Sequence, residues 1–426
     1  MTNDSTHISP FKRIWLLLLS VGPGIFCIGY TIGTGSVTSM AKAGSQFGMQ
    51  LLWVLFLSCL FSWVLMEAYG RLAVISGETT MHGFKTHIPF GKYIAIITTA
   101  AVVVAQWNAF TGILGLSSTA IYEGLHIFIP GLNLPQYGTV LSIAIFIIIV
   151  MYGFVWVGRY SFFEKVLVFF VTLMGLSFIL SMFVVMPPLK DIAAGFIPTI
   201  PKAAGGKLMV AAFVGTTMAA PTFVVRPLLM KGKGWTAVNA KEQSRDSFIS
   251  ALMMFIISGS IMVAATGALF YRGLPINKVL DMVYTLEPVA GKFAVGLFLV
   301  GTLSAGLSSV FPIMMVAPLL IGDYRAGALD TQSVLFRFTA ALACLFALVV
   351  PIFGVNPIAA QIATQVANVF VLPVVILGIM YLVNKKNLMG DYKAGILLNI
   401  GLVTSFVFSC FISYTGVLAL GEFFGG

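Results

Sequence analysis

Charge is what this sequence has least of. Only 9% of its 426 residues are Asp, Glu, Lys or Arg, whereas a domain with its surface in water carries about 25%. That shortage excludes an ordinary soluble fold. Carboxylates are scarcer than cations, 14 against 24, and there are only four histidines and four cysteines. Cys27, Cys59, Cys344 and Cys410 all lie in apolar stretches. They show neither metal-ligand spacing nor a disulfide framework and read as small packing residues. His7, His82, His87 and His126 fall in the N-terminal tail or in loops. No nucleophile–base pair and no paired carboxylates stand at catalytic spacing, which argues against an enzyme, and nothing calls for a cofactor. No soluble domain or low-complexity linker interrupts the chain, which argues against a membrane sensor or scaffold. The formal net charge of +10 would suggest nucleic acid in a soluble protein. Here the basic residues sit in short loops beside apolar runs, as orientation signals do, so no nucleic-acid partner is expected.

What is present is apolar length. Hydrophobic residues make up 59% of the chain and mean hydropathy is +1.01. Runs of roughly 20 apolar residues recur throughout, each long enough to cross a hydrocarbon layer of about 30 Å. They are too long and too uniformly apolar for barrel strands, which leaves helices. The runs predict eleven spans, near 14–46, 49–76, 92–122, 137–157, 161–187, 208–229, 247–271, 288–320, 335–354, 357–383 and 394–420. The partner of such a chain is the lipid bilayer, here the plasma membrane. Placing the N-terminus in the cytoplasm puts Lys and Arg on the inside by better than two to one, so that orientation is expected.

Two spans are chemically unusual. The first contains Gly33-Thr34-Gly35-Ser36, and the sixth contains Gly215-Thr216-Thr217-Met218-Ala219-Ala220-Pro221-Thr222. Glycine loosens a helix and proline removes one of its hydrogen bonds. Irregular backbone at membrane depth is tolerated only where it is buried or lines a cavity. Two breaks five spans apart suit an inverted repeat of five plus five helices with a site between them; the plainer alternative is a pair of ordinary kinks.

Several fragments carry a resemblance. Gly22-Pro23-Gly24 opens the first span and Ala43-Gly44-Ser45-Gln46-Phe47-Gly48 closes it. Leu51-Leu52-Trp53-Val54 begins the second, and Gln365-Val366, Leu372-Pro373 and Leu388-Met389-Gly390 follow late in the chain. In order and spacing, from about residue 20 to 395, they resemble the NRAMP family of divalent-metal transporters. The resemblance implies an all-α, LeuT-like integral membrane fold with alternating access. Helices 1 and 6 would be discontinuous, and an extra helix 11 would follow the repeats. In these terms residues 1–13 form a cytoplasmic tail and 14–426 a single transporter domain. The first repeat runs over about 14–187, the second over about 208–383, and helix 11 over about 394–420.

The expected site departs from the family. Where the family has Asp-Pro-Gly-Asn, this chain has Gly33-Thr34-Gly35-Ser36. Where it has Met-Pro-His, this chain has Ala219-Ala220-Pro221, although a one-residue slip would bring Met218 into the ligand slot. A second family histidine falls on Arg226. The acidic stretch of the third span reads Gln106-Trp107-Asn108, while the glutamine of the tenth is kept as Gln365. No metal ligand is therefore assigned. Candidate substrate-binding residues are Gly33, Thr34, Ser36, Thr217, Ala219, Thr222, Gln365, Asn108, Trp107 and Arg226. Hydroxyls and amides in an apolar-walled cavity suit a small polar organic solute, and Arg226 could clamp a carboxylate. Its alternative is a snorkelling role beside Lys231 and Lys233. Trp107 reads either as packing or as a stacking wall, Asn108 and Gln106 as interhelical bonds or as site lining. The expected function is secondary transport of a small polar or anionic organic solute. The alternative is transport of a divalent cation such as manganese or magnesium, with or without coupling to protons.

Overall fold

The computed structural model describes residues 22–129, 131–157, 160–203, 205–278, 281 and 287–424. The expected tail, 1–13, and the start of the first span lie outside the described residues.

Among the described residues, ten helices are long and apolar enough to cross a membrane. The first span joins them as an eleventh segment. It escapes a length criterion because it is two pieces, Gly24–Thr31 and Thr34–Phe47, of 8 and 14 residues. The chain leaves helical geometry at Ile32, and Gly33 is extended before the second piece begins. Span 2 is Leu52–Ser76, closed by Gly77 in the left-handed region (φ +68°), where a side chain would be strained. Span 3 is Gly91–Phe128, span 4 Gln136–Val157 and span 5 Tyr160–Val184.

Span 6 is interrupted like span 1. Gly206–Thr217 ends at Met218, Ala219 is extended, and Ala220–Val224 and Arg226–Gly232 follow. Pro221 and Pro227 stand in the first turns of these short helices, where a missing N–H costs nothing. Span 7 is Ala240–Leu269 and span 8 is Glu287–Ala326. Span 9 comprises Val334–Ala347 and Val349–Phe353. Span 11 is Ile396–Phe424. Span 10 differs from expectation. The sequence predicts one helix over 357–383, but the structure has Pro357–Asn368 and Leu372–Asn384, joined through Val369–Val371. Pro373 cannot donate to the carbonyl of residue 369, so the helix restarts there. A short helix that the sequence did not announce, Thr80–His87, lies between spans 2 and 3.

Burial sorts the spans into centre and rim. The most apolar window of span 6 is 89% buried, against 22% for span 4 and 28% for span 11. Span 8 packs against spans 3 and 5, and span 7 packs against span 2 and the second piece of span 1. Lipid is as apolar as leucine, so helix association in a membrane depends on close packing and hydrogen bonds. At Gly215 a Cβ would lie 1.7 Å from the carbonyl oxygen of Gln365. Only a glycine lets span 6 approach span 10 at that point.

Candidate functional site

The interruptions of spans 1 and 6 face one another across a small space that the first helix of span 10 also borders. Span 1 contributes Tyr30, Thr31, Gly33, Gly35 and Ser36 to its wall. Span 3 contributes Gln106, Ala109 and Ile113, span 6 contributes Thr216 and Ala219, span 8 contributes Ile313, and span 10 contributes Gln365 and Asn368. The volume is about 20 Å³, room for little more than one water molecule. The lining contains no carboxylate, imidazole or thiol. Among the described residues, no group of three or more His, Cys, Asp and Glu could hold a metal ion.

A directed chain of hydrogen bonds runs along this wall. The Tyr30 hydroxyl donates to Gln106 Oε1. Gln106 Nε2 donates to Asn368 Oδ1 (3.1 Å), and Asn368 Nδ2 to Gln365 Oε1 (3.2 Å). Gln365 Nε2 then donates to Gln361 Oε1 (3.5 Å), and Gln361 Nε2 to Thr34 Oγ1 (3.1 Å). The chain begins and ends on span 1 and passes through spans 3 and 10. Buried amides need partners, and each here finds one in the next. A second set of bonds joins spans 1 and 6. The Thr31 and Thr222 hydroxyls are 3.3 Å apart, and Thr216 Oγ1 donates to the Thr31 carbonyl (3.4 Å).

Two features flank the cavity. On the side of Thr34 and Gln361, a wider chamber of about 650 Å³ extends from Gly115, Thr119 and Glu123 of span 3 to Tyr137, Lys278 and Asn356. On the opposite side lies a buried ion pair. Arg226 Nη2 is 2.6 Å from Asp246 Oδ2, with the two side chains 0% and 1% exposed. Arg226 also donates to Ser247 Oγ at 3.0 Å and reaches Cys27 Sγ at 3.7 Å. The Asp246 carboxylate accepts from the Gly24 amide at 3.1 and 3.3 Å, at the positive end of the first helix piece. A Cβ on Gly24 would lie 1.9 Å from Ser250 Oγ and 2.7 Å from Asp246 Oδ1, so glycine is required for that approach. One ion pair thus holds together span 1 before its break, span 6 after its break, and span 7.

Of the candidate residues, Gly33, Ser36, Ala219 and Gln365 line the cavity. Thr34 adjoins it through Gln361. Thr217 and Thr222 are buried beside it, with the Thr217 carbonyl accepting from Ser62 Oγ (3.0 Å). Three others are placed elsewhere. Asn108 is exposed on span 3, the opposite of the interior position expected for it. Trp107 packs on Phe346, ring centroids 5.0 Å apart, and is not part of the lining. Arg226 neither snorkels nor faces the cavity; Asp246 and Ser247 occupy its guanidinium. Met218 is buried at the break but is not part of the lining. Tyr30 was not anticipated, because a tyrosine in an apolar run carries no distinguishing sign. Asp246 was missed because span 7 was expected to start at 247, whereas its helix starts at Ala240.

A model of the Nramp family, described as natural resistance-associated macrophage protein-like, matches residues 24–419. The chain belongs to this family. Among Nramp relatives, a protein of Klebsiella pneumoniae subsp. pneumoniae named divalent metal cation transporter MntH is 24% identical over 387 residues. The match covers 89% of this chain and 88% of that protein. A protein of the same name from Verminephrobacter eiseniae is 22% identical over 421 residues, covering 96% and 90%. A crystal structure of the Eremococcus coleocola manganese transporter, a point mutant, superposes with a TM-score of 0.73 at 14% identity, covering 100% of this chain and 90% of that one. The structure of MhsT in complex with L-phenylalanine gives 0.65 at 12%, covering 94% and 98%. The fold is therefore LeuT-like, an inverted repeat of five plus five spans with discontinuous spans 1 and 6 and an added span 11. The chain is a multi-pass membrane transporter of the Nramp family.

Proposed function

We propose that the chain carries a divalent metal cation across the plasma membrane by alternating access, with its N-terminus in the cytoplasm. This is the alternative that the residues alone left in second place. Relatives named as divalent metal cation transporters, matched over nearly the whole chain, support it. So does the cavity: the single observation that carries the reading is a space of about 20 Å³ walled by neutral oxygen donors from spans 1, 3, 6 and 10. That volume suits an atomic ion better than an organic molecule. Oxygen donors favour hard cations such as magnesium and manganese, and the lining has no sulfur or ring nitrogen to favour soft ones. Neutral oxygens replace little of an ion's hydration, so the ion is held loosely.

The test is uptake into proteoliposomes loaded with a divalent-sensitive dye. Saturable entry of magnesium or manganese, exceeding that of cadmium and reduced at least tenfold by Gln365→Leu, is the expected result. No entry of any divalent ion through folded protein would overturn the reading. A second reading, a small polar organic solute, is favoured by one observation, the absence of any anionic group in the lining. A thermal shift with small organic acids or amides, alongside none with magnesium or manganese, would decide for it.

A further inference from the structure

A groove on the outside of the bundle takes no part in the transport site. It measures about 620 Å³ and lies between spans 4 and 5, with Ile121 of span 3 and Leu307 of span 8 among its lining residues. Its lining is aliphatic and aromatic except for Lys165. Lys165 is exposed in the second turn of span 5. Among the described residues it has no acidic partner, because the neighbouring Glu164 is held by Lys233 at 2.5 Å. Phe154, near the end of span 4, packs edge-on against Phe162, with ring centroids 5.4 Å apart. That contact sets Lys165 beside the Phe154 end of the groove. From Phe154 the lining continues along span 4 to Ile143. Eleven residues of helix rise roughly 16 Å, about half of the ~30 Å hydrocarbon layer. The groove is one leaflet deep, apolar along its length, and carries an unpaired cation at its interfacial end, where a lysine reaches the head-group layer.

We propose that this groove binds an anionic phospholipid, with one acyl chain along span 4 and the phosphate at Lys165. A zwitterionic lipid offers the same chain without the net charge, and inorganic phosphate offers the charge without the chain. Neither matches both ends. The site is independent of the transported cargo.

Native mass spectrometry of the purified full-length protein tests the pairing. Phosphatidylglycerol and phosphatidylcholine with identical acyl chains are titrated in turn. The expected result is tighter binding of phosphatidylglycerol. Lys165→Gln lowers its affinity about fivefold, one basic residue's contribution at an anionic surface, to the level of phosphatidylcholine. Lys165→Arg keeps the preference, and Leu307→Trp, which fills part of the groove, weakens both lipids. Melting followed by tryptophan fluorescence confirms that each variant is folded. Equal binding of the two lipids by the unmodified protein would overturn the proposal. So would a preference that survives Lys165→Gln, or inorganic phosphate displacing the lipid at the concentration at which lysophosphatidylglycerol does.

Discussion

Removing Asp246 would leave a guanidinium where water does not reach. Arg226 is fully buried and its main partner is the Asp246 carboxylate at 2.6 Å; the Ser247 hydroxyl at 3.0 Å would be its remaining oxygen acceptor. Its Nε already lacks a partner. Breaking a buried ion pair from one side costs about 3–5 kcal/mol, chiefly from the charge left behind. Asp246→Ala also strips the Gly24 amide of its acceptor, adding about 1 kcal/mol for a lost helix cap. Arg226→Met leaves the opposite charge stranded and falls in the same range. Replacing both, Arg226→Met with Asp246→Leu, removes the desolvated charges together and should cost far less than either single change. Unfolding in mixed detergent micelles, followed through the six tryptophans, gives the four corners of a double-mutant cycle. Single variants costing less than 1 kcal/mol, or a double variant as costly as the sum of the singles, would refute a tightly coupled buried pair.

Gly215→Ala places a Cβ 1.7 Å from the Gln365 carbonyl oxygen; it should destabilise by about 1–3 kcal/mol as other overpacked sites do, and unchanged melting would show that the helices separate freely there. Asn108→Ala, at an exposed position outside the cavity, should leave cargo uptake unchanged, and a several-fold loss would place span 3 in a different rotation. The loop carboxylate Glu78 accepts from His82 Nδ1 at 2.9 Å and His87 Nε2 at 3.4 Å. Partial burial raises its pKa, but the hydrogen bonds and charges of the two histidines lower it further, so it ends below its ordinary 4.5. A lowered folded pKa stabilises above the unfolded value, and that stability is lost as pH falls through the folded value. The melting difference between the unmodified protein and Glu78→Gln should therefore shrink as the solution is acidified below about pH 4.5; a difference that grows on that acidification would reverse the assignment.

The membrane fold was legible because apolar runs of span length, repeated along a whole chain, are stable only in a bilayer. The interruptions of spans 1 and 6 were legible as well, since glycine and proline at Gly33 and Pro221 advertise them. That of span 10, at Val369–Val371, lies in a run of apolar residues whose one sign is Pro373, and proline also occurs in unbroken membrane helices such as span 8. Register against the breaks put Gly33, Ser36, Ala219 and Gln365 beside the cavity. For Trp107 it left packing and lining both open, and packing is what the structure has; Asn108 was expected in the interior and is exposed, because helix rotation cannot be read from a span with no amphipathic stripe. Asp246 was lost to a boundary error of seven residues, which moved a membrane-buried carboxylate into a loop. A buried arginine requires a counter-charge, so Arg226 itself was the signal that could have recovered it.

The neutral wall of the cavity has an electrical consequence. No charged side chain lines it, and the Arg226–Asp246 pair beside it sums to zero. The unloaded carrier then reorients with no net charge at its site, and the membrane potential exerts little force on that half of the cycle. The loaded half carries whatever charge the cargo brings. A divalent ion crossing the full field exchanges about 4.6 kcal/mol per 100 mV, twice the ~2.3 of a single charge, whereas an uncharged solute exchanges none. Voltage dependence confined to the loaded step would thus report the charge of the cargo without its chemical identity being known.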